Sequence, residues 1–354
     1  MSFVKITGTG AFIPSQEVKN EAFINESFLN EDGSIFNADN DEIIAKFKSI
    51  TGIDERRYAK DSLNTSDIAF FAAQNAISDA VINAEELDYI IVAHNFGDVK
   101  KGTIQGDMLP SLATRVKQKL QIENPNCVAY DLIFGCPGWV EGVIQAQAFI
   151  KAQMATKCLV IGAETLSRVV DMHDRDSMIY ADGAGACIVE SSKNESSSIL
   201  SYASQTFAKQ EADFLFFGES YNSEAIDSTR YIKMYGRKIY EFALNNVPNA
   251  MKTALDKSGT EIDDLKKIFI HQANEKMDEA IVKRFYRLYK KKVPKDIMPM
   301  SIHKLGNSSV ATVPTLLDLV SKGKLGNHSI NKGDVIILAS VGAGMNINAI
   351  VYRV

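Results

Sequence analysis

Cys136 ends an apolar, strand-like run, Tyr130-Asp131-Leu132-Ile133-Phe134-Gly135, and is followed by Pro137, Gly138 and a helical pattern from Trp139 to about Ala152. Proline suits the first position of a helix, where its missing N–H is not needed. The cysteine therefore falls at a helix N-terminus, where free N–H groups and the helix dipole favour a thiolate, the nucleophilic form. The alternative reading of the same residue is a small buried structural cysteine. Two later segments bear on the choice. Ile268-Phe269-Ile270 ends on His271-Gln272-Ala273-Asn274, and His303-Lys304-Leu305-Gly306 leads to Asn307-Ser308-Ser309 and another helical run. A nucleophilic cysteine needs a histidine that is near in the fold though not in sequence. Attack on a thioester also builds an oxyanion that needs hydrogen-bond donors. Cys136, His271 and Asn307 are residues of the types that meet these needs. Taken singly, His271 also reads as a cap at a strand end and Asn307 as a turn residue beside glycine.

The elements that must bring these residues together repeat along the chain. A helical pattern over Ala72–Ala84 precedes the strand-like run 87–95, which ends in polar residues; a second, over Val247–Lys257, precedes the run 265–274. Asp182-Gly183-Ala184-Gly185-Ala186-Cys187-Ile188-Val189 is similar to Ser340-Val341-Gly342-Ala343-Gly344-Met345-Asn346-Ile347. Helices alternating with short apolar strands predict α/β layers, and the repetition predicts an internal duplication. The polar stretch 191–198 is the expected seam, giving one half at residues 1–195 that carries the cysteine and another at 196–354 that carries the histidine and asparagine.

Composition narrows the function classes. The 354 residues are 45% hydrophobic, enough for a sizeable core, and no run reaches the 18 or so apolar residues of a membrane span. The first residues, Met1-Ser2-Phe3-Val4-Lys5, lack a basic-then-apolar signal pattern. A net charge of −5 disfavours general binding to nucleic-acid phosphates. Cys127, Cys136, Cys158 and Cys187 have no zinc-like or disulfide-framework spacing, so a reduced, cytoplasmic protein without a metal is expected. Gly8-Thr9-Gly10 lacks the third glycine and the strand–turn–helix context of a nucleotide loop.

The Cys, His and Asn segments, in this order, resemble those of the β-ketoacyl-acyl carrier protein synthase III family of the thiolase-like superfamily. Thr51-Gly52-Ile53-Asp54-Glu55-Arg56-Arg57, Met234-Tyr235-Gly236-Arg237 and Gly342-Ala343-Gly344 are similar to further family motifs, and the resemblance spans nearly the whole chain. It implies a five-layered α-β-α-β-α fold, usually as a homodimer paired through the sheet of the first half. It implies a decarboxylating condensation of an acyl thioester with malonyl-acyl carrier protein through an acyl-Cys136 intermediate. His271 and Asn307 would hold the enolate oxygen, and the backbone N–H groups of Cys136 and Ala343 a second oxyanion. Coenzyme A or phosphopantetheine thioesters are then substrates, with no resident cofactor. Arg168 is similar to a family arginine beside the pantetheine tunnel. Lys276 stands where the family often has an arginine that docks acyl carrier protein, and Arg237 and Asn274 lie in matching motifs, Asn274 as a supporting residue. The basic run 283–295 reads either as a further face for an acidic carrier or as a solvated, lysine-rich helix face.

The chain also departs from the pattern. A tryptophan usually precedes the Thr-Gly-Ile motif and stacks on adenine; here the region reads Asp41 to Ile50, and Trp139 is the chain's one tryptophan. Pro137 replaces the usual alanine, Asn30 to Asn40 reads as an extra polar loop, and Trp139 is expected to shape the acyl pocket. The resemblance implies fatty-acid initiation or a specialised lipid or polyketide pathway, and these differences point to a specialised paralogue rather than the initiator. Competing readings are an enzyme joining two acyl chains, as in dialkylresorcinol formation, an acyltransferase acting on an alcohol or amine, and a non-catalytic partner subunit. Asn307 argues against the acyltransferase and Cys136 against the partner subunit. Hydroxymethylglutaryl-coenzyme A synthases rely on a glutamate base, for which no matching motif is read, and no second cysteine follows Cys187 as in thiolases proper.

Overall fold

The computed structural model describes residues 3–193, 197–224 and 229–354, so the expected 195/196 boundary lies outside the described residues. Two mixed sheets dominate. The first runs in the order Phe3–Phe12, Asp182–Ser192, Lys157–Thr165, Tyr89–Ala93, Val128–Leu132. The second runs Ser198–Thr206, Asn346–Arg353, Val335–Gly342, Leu265–Ile270. Both read antiparallel, antiparallel, parallel from their first strand. The first sheet adds a further parallel strand, Val128–Leu132, which leads to the cysteine. The same pairing order twice is the duplication the sequence repeats suggested. The similar segments 182–189 and 340–347 are offset within it. Asp182–Ser192 is one unbroken strand, whereas Gly342 ends a strand and Asn346 begins the next after a turn at Ala343–Met345.

The layers follow from which residues each helix can bury. The helices Gly138–Lys151 and Thr312–Ser321 lie between the sheets and bury Val140, Val143, Ile150, Val313, Leu316 and Val320 in one shared core. A helix apolar around most of its circumference belongs in such a central layer. Thr65–Ala80 packs on the outer face of the first sheet through Ala69, Ala72, Ala73 and Ala76. Its approach is close: a Cβ on Gly10 would stand 2.4 Å from the Ala72 carbonyl oxygen. The Gly8-Thr9-Gly10 run thus serves strand–helix packing. Gly236–Ser258 and Glu275–Leu288 cover the second sheet. The result is the five-layered α-β-α-β-α fold.

Some elements exceed their sequence pattern. The helix expected over Ala72–Ala84 begins at Thr65, where Asn64 and Asp67 form a capping box, and ends at Ala80. The helix expected over Val247–Lys257 begins at Gly236 and passes through Pro248. Proline there removes the N–H that would reach the Leu244 carbonyl. Arg284 supplies a substitute, its Nη1 donating to that oxygen at 3.1 Å. Trp139, expected in the acyl pocket, is fully buried in the central layer and donates its indole N–H to the Val160 carbonyl at 3.2 Å. It faces the core because the first turn of its helix is wedged between the sheets.

Candidate active site

Cys136, His271 and Asn307 line one cavity of about 880 Å³, together with Ala343. Each is placed by an element end. The strand Val128–Leu132 delivers Cys136, and Leu265–Ile270 delivers His271, whose N–H donates to the Ala339 carbonyl of the neighbouring strand at 2.9 Å. Asn307 follows the short helix Ile302–Leu305 and is locked by its own backbone, which donates to the Ile179 carbonyl at 3.0 Å and accepts from Ala181 N–H at 2.8 Å. Gly306 makes the turn, with φ +62° and Arg56 packed so closely that a Cβ would meet it at 2.8 Å.

The cysteine sits two residues ahead of the first helical residue, Gly138, rather than directly before it. Gly135 has φ +66°, and a Cβ there would stand 2.7 Å from both the N and O of Ala343. A Cβ on Gly342 would stand 2.5 Å from the Cys136 nitrogen. The backbones around Cys136 and Ala343 can pack this closely because these neighbours are glycines.

The electrostatics are those of a dry site. Burial pushes the Cys136 thiol up to about 11, opposed by a hydrogen bond from Ser309. Burial is thus the stronger influence against the thiolate expected of a helix N-terminus. His271 is held down to about 4 by burial, against a hydrogen bond to the Ser309 backbone. Its Nδ1 is buried with no hydrogen-bond partner. The Asn307 Oδ1 accepts the Ser309 N–H at 2.8 Å, which leaves the NH2 group as its donor toward the cavity.

The His271 value fixes a sign. Its folded pKa lies below the ordinary 6.5, so the unfolded chain binds more protons between those values. The stability this contributes is fully present above pH 6.5 and is lost as pH falls toward 4. Urea unfolding at pH 7 and pH 5 is expected to show wild type losing about 2 kcal/mol more than His271→Gln. Equal losses would contradict it.

Residues 130–207 match the family described as 3-oxoacyl-[acyl-carrier-protein] synthase III, and residues 255–354 match its C-terminal family. A β-ketoacyl-[acyl-carrier-protein] synthase III of Clostridium beijerinckii is 34% identical over 98% of this chain and 97% of its own. The chain belongs to the β-ketoacyl-acyl carrier protein synthase III family. A relative of the same name from Halalkalibacterium halodurans is 32% identical over 100% of this chain and 97% of its own. The crystal structure of the Aquifex aeolicus synthase III superposes with a TM-score of 0.81 at 28% identity, covering 99% of this chain and 100% of that one.

The remaining residues expected from the family motifs are placed unevenly. Arg237 and Asn274 line the cavity. Arg237 is exposed and pairs with Glu241 at 3.0 Å, while the Asn274 Oδ1 caps the helix Glu275–Leu288 by accepting from Met277 N–H at 3.0 Å. Lys276 is exposed in the first turn of that helix, beside the cavity-lining Asn274 and Met277. Arg168 is the correction. It is buried, and its guanidinium donates to Asn64 Oδ1 at 2.9 Å and to the carbonyls of Lys60, Leu63 and Val99. A guanidinium spent on three carbonyls and an amide holds loops together and is not part of the cavity wall.

Three further polar residues around Cys136 escaped the sequence reading: Asn95, Glu164 and Ser309. Asn95 and Glu164 belong to strand ends where apolar runs turn polar, a signal that was visible but unspecific. The polar loop Asn30–Asn40 also has a place. Asn30, Glu31, Phe36 and Ala38 line the cavity, and the Arg175 guanidinium lies 4.6 Å from the Phe36 ring centre.

Behind that wall, Lys233 is fully buried between Asp171 at 2.7 Å and Asp174 at 3.2 Å, with its Nζ 3.3 Å from the Tyr221 ring centre. Replacing it with methionine strands two buried carboxylates. Lys233→Met is expected to cost about 3–5 kcal/mol in urea unfolding. A loss below 1 kcal/mol would contradict this account of the wall.

Proposed function

We propose that the protein catalyses a decarboxylating Claisen condensation between an acyl thioester and malonyl-acyl carrier protein. The observation that carries this is the convergence of Cys136, His271 and Asn307 on one cavity in a chain of the synthase III family. In the first step the Cys136 sulfur bonds to the acyl carbon and the donor C–S bond breaks. The thiol proton leaves with the released pantetheine thiol. In the second, the malonyl C–C bond breaks, carbon dioxide departs, and the enolate oxygen is held by His271 and Asn307. In the third, the new carbanion attacks the acyl carbon, and the Cys136 thiolate is expelled and takes one proton from water. The backbone N–H groups of Cys136 and Ala343 receive the oxyanion of the first and third steps.

The two polar side chains suit the enolate. A neutral amide donates from its NH2 group; a neutral imidazole has one N–H, which His271 would give to the enolate oxygen in place of the Ser309 backbone as negative charge develops. The unpartnered Nδ1 of His271 is the kind of buried polar atom that a ligand completes.

The substrates follow from the same reading. Coenzyme A or carrier-protein thioesters supply the acyl group, and acyl carrier protein is the partner, with Lys276, Arg237 and the basic segment 283–295 as its docking face. Lys46, Phe47 and Ile50 line the cavity without a tryptophan among them, which favours a carrier-protein donor. A homodimer would form along the Val128–Leu132 edge of the first sheet, where Val128 and Ile133 are exposed. All four cysteines are unpaired, in keeping with a cytoplasmic setting. No helix among the described residues is long and apolar enough to cross a membrane, and no group of three or more His, Cys, Asp or Glu among them is placed to hold a metal.

Incubation with malonyl-acyl carrier protein and a panel of acyl-coenzyme A and acyl-carrier-protein donors tests the reading by product mass. A β-ketoacyl carrier protein with release of carbon dioxide supports it. Products that join two acyl chains without decarboxylation would replace it with the dialkylresorcinol type of reaction.

A further inference from the structure

The nucleophilic sulfur is connected to a buried carboxyl group through two side chains. Ser309 Oγ donates to Cys136 Sγ at 3.3 Å. Asn95 Nδ2 donates to Ser309 Oγ at 3.2 Å and to Glu164 Oε1 at 2.5 Å. Glu164 is 1% exposed and lies near the end of the strand Lys157–Thr165. None of the three steps above uses it.

The order of donors has a consequence. The Asn95 amide has two hydrogens, and both bonds can form at once. Glu164 accepts one and so fixes which way the amide faces. Ser309 accepts the other, which leaves its own proton for the sulfur. Without the Glu164 acceptor the amide is free to turn, and its oxygen would compete for the Ser309 proton.

The charge state fits this role. Burial pushes the Glu164 carboxyl up to about 8, with the charge of Asp182 adding to the effect against hydrogen bonds from the Asn95 side chain and backbone. The groups that face it are Asn95, Asp182 and Cys136. A neutral acid still accepts from an amide, and below about pH 8 Glu164 carries little of the charge that, once it is ionised, disfavours a thiolate on Cys136.

We infer that Glu164 is a positioning residue, acting through Asn95 to direct the Ser309 hydroxyl at Cys136 and so stabilise its thiolate. The inference rests on Cys136 being the nucleophile.

The test is the rate of Cys136 alkylation by iodoacetamide from pH 6 to 10 on the full-length protein, with peptide mapping to separate it from the three buried cysteines. Ser309→Ala, Glu164→Met and Asn95→Ala are each expected to react about 10-fold more slowly at pH 7.5, with the thiol titrating at higher pH. Glu164→Gln keeps an acceptor of the same shape and is expected to stay within about twofold of wild type. The inference is overturned if Glu164→Met and Asn95→Ala both keep the wild-type rate and profile while Ser309→Ala slows. It is equally overturned if Glu164→Gln is as slow as Glu164→Met. Thermal melting separates misfolding of Glu164→Met from loss of positioning, and Asn95→Ala, at a half-buried site, gives an independent reading. Acyl loading of wild type judges the nucleophile itself: its absence would sink that reading without altering the thiol titrations.

Discussion

Cys136→Ala is expected to gain no mass from any acyl-coenzyme A or acyl-carrier-protein donor that loads the wild-type protein, and to lose condensation by roughly 10⁴-fold or more. The size follows from what the thiol does. On the proposed mechanism it forms and breaks the covalent bond to the acyl group, and no other thiol can substitute: Cys127, Cys158 and Cys187 are buried elsewhere. The substitution removes one atom from a cavity wall, so stability is expected to hold. Intact-protein mass spectrometry checks the first outcome and a condensation assay the second. A mass gain that survives in Cys136→Ala would move the nucleophile elsewhere. No gain in wild type from any donor would bring the partner-subunit reading forward.

Asn307→Ala and His271→Ala are expected to separate the half-reactions. Each should lower condensation by about 10²–10³-fold, the usual cost of removing one oxyanion donor, while acyl loading of Cys136 stays within about fivefold of wild type. The reason is geometric. On the proposed mechanism the backbone N–H groups of Cys136 and Ala343 serve the acyl carbonyl, whereas the two side chains serve the enolate, which exists only after decarboxylation. Because both act on one oxygen, the double variant should lose less than the product of the single losses. The measurement is single-turnover loading by mass beside release of labelled carbon dioxide from malonyl-acyl carrier protein. Equal losses in both half-reactions would assign the side chains to the acylation step. His271, held down to about 4 by burial, also predicts that condensation does not fall through imidazole protonation between pH 7 and about 5. A bell-shaped profile with an acid limb near 6.5 would contradict that.

Much of the architecture was legible because it is periodic. The Val128–Leu132 and Leu265–Ile270 strands announce themselves as largely apolar runs, and each leads to a residue able to do chemistry, His271 directly and Cys136 four residues on. The glycines were legible as turns, but their reason was not. Gly135 and Gly342 matter because two distant segments touch there, and no local pattern states which segments will touch. Arg168 was misread for the same cause. A guanidinium in a suggestive motif looks the same whether it faces a tunnel or, as here, three carbonyls of loops about 70 to 110 residues away. Trp139 was misplaced because a helix pattern gives the apolar face without saying which sheet covers it.

The sequence by itself determined the family, the alternation of helices and strands, and the three residues proposed for the chemistry, since these depend on residue type and local order. The tertiary structure decided what surrounds them. It joined Cys136 to Ser309, Asn95 and Glu164 across separations of up to 214 residues, and it depressed His271 by burial. It also turned the Asn30–Asn40 loop into a cavity wall. Desolvation and hydrogen bonding between remote segments arise when chain ends of different strands meet, and a linear pattern carries no record of that meeting.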